Sequence, residues 1–296
     1  FFKQKTAYEI YQCDWSSDVC SSDLECVKKG QLTPHYHYVS RPPFTEAEAV
    51  RRAIYLAGQT DTPLYIAHMT CREAIAELQK AKGTGQRVSG ETCTHYLTTT
   101  KEVLDNPDFN EAAKFVCSPA LRDREDCEAL WQALSDGLLT AVSSDHCGID
   151  VAELKQAGRN DFTQIPNGSP GAGDRLHMVW TEGVCTGKLT RQKFVDVIAT
   201  QPAKINGIYP RKGTLAVGSD ADVVIFDPNY EGTVHLADNP NGVDYNLYEG
   251  RRQSGRVETV LLRGQVVVEN AKFVGRYGQG KFIPANMYAS GYENRN

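Results

Sequence analysis

Two side chains with ligand chemistry occupy matching places in this sequence. His68 closes the apolar run of PLYIAHMT, and Asp145 follows LLTAV in SSDHCGID, where a buried strand gives way to a Gly-containing loop. Imidazole and carboxylate are both good ligands for first-row metals, and metal-assisted hydrolysis needs such groups to converge from separate elements. In barrels of alternating strands and helices, catalytic groups leave the C-terminal ends of strands. By residue type alone the reading stays open. A histidine on a strand is more often packed and hydrogen-bonded than ligating, and an aspartate after a strand is often a helix cap.

The elements that would position them alternate. EAEAVRRAIYLAGQT (46–60) carries Ala, Ile and Leu at helical spacing, and TPLYIAHMT (62–70) is a short β-rich run. CREAIAELQKAKGTG (71–85) is a helix closed by Gly83 and Gly85, and RVSGETCTHYL (87–97) returns to strand character. DREDCEALWQALSDG (123–137) is a helix that Asp123 can cap, and LLTAVSSD (138–145) is the next strand. This rhythm predicts an α/β fold with a parallel sheet and helical crossovers, either a (β/α) barrel or a doubly wound sheet. Helices are also expected at 174–185 and 190–207. After Gly213 the character changes: GTLAVGSDADVVIFDP and VETVLLRGQVVVENAKFV are strands separated by the turn signals RGQ and EN, which predicts a small β domain.

Composition excludes several classes. The chain of 296 residues is 41% hydrophobic and 23% charged, ordinary for a globular protein. A net charge of −5 argues against a nucleic-acid or anionic-membrane surface. No apolar run is long enough to span a bilayer. Nine cysteines without a CxxC pattern favour reduced thiols and a cytoplasmic protein over a disulfide framework.

Residues 1–24, FFKQKTAYEIYQCDWSSDVCSSDL, fit neither a signal peptide nor a transit peptide and show no helical or alternating period. KQKTAYEI and DWSSDVCSSDL can both be reverse-translated into the index-side adapter of a short-read sequencing library, in order and with an index-sized gap between them. The hypothesis is that residues 1–24 are non-native and that the protein proper is entered near Glu25. Different codons in the nucleotide record would sink it.

PLYIAHMTCREAIAEL, GETCTHYL, VCSPALRDREDCEALWQALSDG, SSDH and FTQIPNGSPGAGDRL resemble, in order, the signatures of the dihydropyrimidinase/hydantoinase family of cyclic amidohydrolases. PRKGTLAVGSDADVVIFDP resembles that family's return into its β-sandwich domain. The resemblance implies the C-terminal part of a (β/α)8 TIM-type barrel over 25–212, an incomplete β-sandwich over 213–280 and a tail at 281–296. It implies reversible hydrolysis of 5,6-dihydropyrimidines or 5-substituted hydantoins to N-carbamoyl amino acids. It also implies two Zn2+ ions per intact subunit, held by an HxH pair, a carboxylated lysine, two further histidines and an aspartate. Among those ligands, His68 matches the last histidine and Asp145 the aspartate, which would also shuttle the proton. Ser118 in CSP and Asn167 in IPNG match positions whose backbone groups hold the imide edge of the substrate. Without the resemblance, both are plain turn-formers.

The HxH pair in PHYHY, His35 and His37, follows QLTP rather than an apolar strand, so it is expected not to be the metal pair. His95, His146, His177 and His235 are expected to be structural or surface residues, and Glu91 and Cys93 to pack or support the site. The HxH pair, the bridging lysine and one histidine would then precede Glu25. This chain is therefore expected to be an inactive fragment that exposes apolar strand edges and aggregates, of a protein that is homotetrameric when full length. An allantoinase-type hydrolase and a non-catalytic adaptor are the alternatives. An upstream HxH and lysine would mean an enzyme, and replacements an adaptor.

Overall fold

The computed structural model describes residues 17–285; residues 1–16 of the adapter-like stretch and residues 286–296 of the tail lie outside the described residues. The chain divides into two compact units. One runs to Arg175 and includes His235–Glu249; the other comprises Leu176–Val234 and the chain from Gly250.

In the first unit, α1 (Ser17–Lys28) crosses Glu25 as one helix, so residues 17–24, read as having no helical period, are helical. Cys26 anchors it in a cluster with Leu104, Ala113, Val116, Phe162 and Ile165. Asp23 adds a two-pronged ion pair with Arg41 at 2.9 and 2.8 Å, so tertiary contacts hold this helix in place. The short α2 (Tyr36–Val39) leads into α3 (Pro43–Gln59). Pro43 suits the first helical turn, since an amide there would have no partner within the helix.

Three strands follow, β1 (Leu64–Ile66), β2 (Val88–Cys93) and β3 (Ala141–Ser143), paired in parallel in the order β1-β2-β3. The helix α4 (Arg72–Gly83) connects the first two. Val50, Ile54 and Ala57 of α3 are buried, as are Ala74, Ile75, Leu78 and Ala81 of α4, at the helical spacing expected of core-facing stripes. The path from β2 to β3 runs through α5 (Thr94–Thr98), α6 (Phe109–Ala113) and α7 (Arg124–Ser135).

All three strands are shorter than their sequence segments. THYL, read as the end of a strand, instead begins the buried helical turn α5, in which the Thr98 hydroxyl donates back to the Thr94 carbonyl at 2.8 Å. Asp123 stands at the start of α7 but does not cap it; its carboxylate pairs with Lys101 at 2.8 Å. The buried Asp126 instead caps α4, accepting from the Arg72 amide at 3.0 Å. Burial raises the pKa of that carboxyl, and the Arg72 amide and guanidinium oppose the shift.

In the second unit both expected helices appear, each with a π turn: α8 (Arg175–Val179) runs on through 180–184, and α9 (Arg191–Val195) through 196–200 into α10 (Gln201–Ile205). The antiparallel sheet β4 (Val223–Thr233), β5 (Arg252–Leu262), β6 (Gln265–Glu269), β7 (Lys272–Phe273) follows in chain order. Its turns fall at RG and NA, where Arg263, Gly264, Asn270 and Ala271 all have positive φ, as two-residue hairpins of this hand require. Residues 213–222, read as the start of a strand, form turns in which Lys212 pairs with Asp220 at 3.0 Å and with Asp222. No helix among the described residues is long and apolar enough to cross a membrane.

Candidate active site

His68 lies two residues beyond β1, and Asp145 two residues beyond β3. Both have left-handed backbones, with φ of 40° and 42°. For a residue with a Cβ this conformation costs about 1–2 kcal/mol, and such outliers cluster at functional sites. Because β1 and β3 flank β2 in parallel, both residues leave the same carboxyl edge of the sheet, with strand axes about 10 Å apart.

Hydrogen bonds hold both turns. After His68, the Met69 amide donates to the Glu91 carbonyl at 2.8 Å, and the Thr70 amide to the Glu46 carboxylate at 2.7 Å. Beyond Asp145, the Cys147 amide donates to the Ser169 carbonyl at 3.0 Å, and the Gly171 amide to Nδ1 of His146 at 3.3 Å. His146 thus braces the loop at 169–171. Glu91 accepts from the Tyr65 hydroxyl at 2.6 Å and the Ser143 hydroxyl at 2.8 Å, while Cys93 Sγ lies 3.1 Å from the latter.

Two buried imidazole nitrogens near His68 have no hydrogen-bond partner. Nδ1 of His68 is buried with no hydrogen-bond partner, and so is Nε2 of the fully buried His95. Burial, and then the neighbouring His68, push the His95 pKa down to about 3, so its ring is neutral. The Asp145 charge, secondary to burial, helps raise the pKa values of Cys93 and Tyr96, and it acts in the same direction on Cys117. A buried imidazole nitrogen without a partner suits a metal, whose ligands must be deprotonated. Among the described residues, no group of three or more His, Cys, Asp or Glu side chains converges to hold an ion.

Ser118 and Asn167 come together: the Ser118 hydroxyl donates to Oδ1 of Asn167 at 3.1 Å across 49 residues of sequence. Their turns are further joined by the Gly168 amide, which donates to the Val116 carbonyl at 3.0 Å. Gly168 has φ of 130°, and a Cβ there would fall 2.5 Å from Cys147 Cβ. Gly168→Ala is therefore expected to lower stability by about 3 kcal/mol through strain and overpacking together. Gly85→Ala, with positive φ but open space around it, is expected to cost about 1 kcal/mol. Urea midpoints of the two variants compare these effects directly.

The HxH pair does not share one partner. Nδ1 of His35 meets Asp105 at 2.6 Å, while the buried His37 donates from Nε2 to the Cys117 carbonyl at 2.8 Å. Lys155, absent from every motif, is completely buried and donates to the Val116 and Pro166 carbonyls at 3.1 and 3.2 Å. It cannot act as a bridging carbamate there, because carbamate oxygens would face carbonyl oxygens. Nothing in its local sequence, LKQAGR, marks it as a site residue.

Known proteins are similar to this chain in sequence and fold. The D-hydantoinase of Ralstonia pickettii is 47% identical over 262 residues, covering 88% of this chain and 57% of the relative. The dihydropyrimidinase of Arabidopsis thaliana is 39% identical over 257 residues, covering 87% of this chain and 48% of the relative. The crystal structure of dihydropyrimidinase from Brevibacillus agri superposes with a TM-score of 0.91 at 42% identity, over 93% of this chain and 59% of that one. The chain thus spans about half to three-fifths of the length of these relatives. The Amidohydrolase family pattern matches residues 48–267, most of the sequence, and the chain belongs to that family.

Proposed function

We propose that this chain carries part of the active site of a zinc-dependent cyclic amide hydrolase, one that opens 5,6-dihydropyrimidine or 5-substituted hydantoin rings to N-carbamoyl amino acids. The observation that carries the reading is the matched pair of left-handed residues, His68 and Asp145, at one offset beyond parallel strands, with a buried imidazole nitrogen left without a partner. The similarity to hydantoinases and dihydropyrimidinases supports the substrate class.

His68 and Asp145 would hold zinc, which when bound acidifies water and polarises the scissile carbonyl. Asp145 accepts the proton of the attacking water and passes it to the leaving nitrogen. Backbone groups at Ser118 and Asn167 read the alternating N–H and C=O edge of the ring, and the bond between their side chains keeps the two turns at a fixed spacing.

Two protein ligands do not retain two zinc ions at catalytic affinity. The chain alone is therefore expected neither to hydrolyse dihydrouracil nor to keep two zinc ions through dialysis; either result would defeat this part of the proposal. Isothermal titration with zinc is expected to show weak binding that falls at least tenfold in His68→Ala and in Asp145→Asn. Unchanged binding in both variants would remove the metal assignment.

A further inference from the structure

We propose that Lys155 is a positioning residue: its buried side chain pins the turn carrying Ser118 to the turn carrying Asn167, setting the spacing at which they meet a substrate. The inference rests on reading Ser118 and Asn167 as substrate contacts.

Burying an ammonium group costs several kcal/mol unless it is well paired. Lys155 is completely buried, yet its hydrogen bonds go to two main-chain carbonyls rather than to a carboxylate. Those carbonyls are not arbitrary. Val116 lies two residues before Ser118, and Pro166 immediately precedes Asn167. One ammonium thus bridges the two segments 39 and 11 residues away from it.

The same turns are tied from other directions. The Gly168 amide shares the Val116 carbonyl, the Ser118 hydroxyl reaches Asn167, and His37 takes the adjacent Cys117 carbonyl. An apolar side chain here would avoid the desolvation cost but leave both carbonyls without this donor, so the charge points to a requirement for fixed geometry. Burial lowers the lysine's pKa to about 8, against the opposing influence of the Cys117 and Cys147 thiols, so the cation persists at neutral pH.

The test is Lys155→Met in the full chain, read by hydrogen–deuterium exchange of peptides over 114–120, 164–171 and 124–135. The clamp predicts at least tenfold faster exchange in the first two, exchange in the third within twofold of wild type, and near wild-type exchange throughout in Lys155→Arg. A uniform increase, or no increase in the two turns, overturns it. Should Lys155→Met not fold, Lys155→Gln, a neutral side chain one atom shorter that loosens the bridge, replaces it, and the same exchange patterns support or overturn the clamp. Hydantoin binding by saturation-transfer NMR is expected to weaken at least fivefold in Lys155→Met, and unchanged binding overturns the positioning role. Absence of hydantoin binding in the wild type would count against the substrate reading instead, while exchange would still decide the clamp.

Discussion

Glu46→Ala is expected to destabilise the chain by about 3–5 kcal/mol, as uncompensated charge in a buried pair does. Glu46 and Arg122 meet at 3.2 Å with side chains 9% and 5% exposed. The carboxylate also accepts from the Thr70 amide at 2.7 Å and from the Thr70 hydroxyl. The guanidinium donates to Thr70 Oγ at 3.0 Å and to the Arg41 carbonyl. Removing Glu46 strands the Arg122 charge in the interior and frees the Thr70 amide, two residues beyond the strained His68. Urea denaturation measures the loss. A Glu46→Ala/Arg122→Met double variant is expected to lose less than the two single variants summed, because it buries no orphaned charge. A cost below about 1 kcal/mol for Glu46→Ala would show that the network does not hold this turn.

Lowering the pH from 7.5 to 5 is expected to remove about 4 kcal/mol of stability through His37 and His95 alone, since each adds a slope of about 1.4 kcal/mol per pH unit below the unfolded pKa. The sign follows from their depressed pKa values. Burial lowers the His37 pKa well below the usual value, with the nearby Arg41 adding to it, and holds that of His95 at about 3. Above about pH 6.5 both rings are neutral in the folded and unfolded chains. Below it the unfolded chain takes up two protons that the folded chain refuses, so stability falls as pH drops toward the folded values. Asp126 and Asp174, whose pKa values burial raises, oppose the loss by taking up protons in the folded chain first. Urea midpoints across this range check the slope. His37→Gln, which keeps a donor for the Cys117 carbonyl, is expected to halve it. A flat profile would mean that these rings protonate in place.

Much of the fold was legible from local pattern. Apolar spacing located the helices at α3, α4 and α7, β-rich runs located β1, β2 and β3, and RG and EN marked the hairpin turns of the second unit. The same punctuation put His68 and Asp145 at or near the ends of their strand segments. These features depend on neighbours a few residues away, so sequence carries them.

Tertiary structure decided what lay beyond that reach. It ended β1 and β3 early by forcing left-handed turns at His68 and Asp145, which short-range propensity disfavours and long-range hydrogen bonds sustain. It supplied a cap for α4 from Asp126, 54 residues away. It turned His37, in a tempting HxH pair, toward a carbonyl 80 residues distant, and placed Lys155 between two turns that share no motif with it. Local sequence sets which conformations a segment can adopt cheaply. Which buried donor meets which acceptor depends on strand register and loop packing, which exist only once the chain has folded.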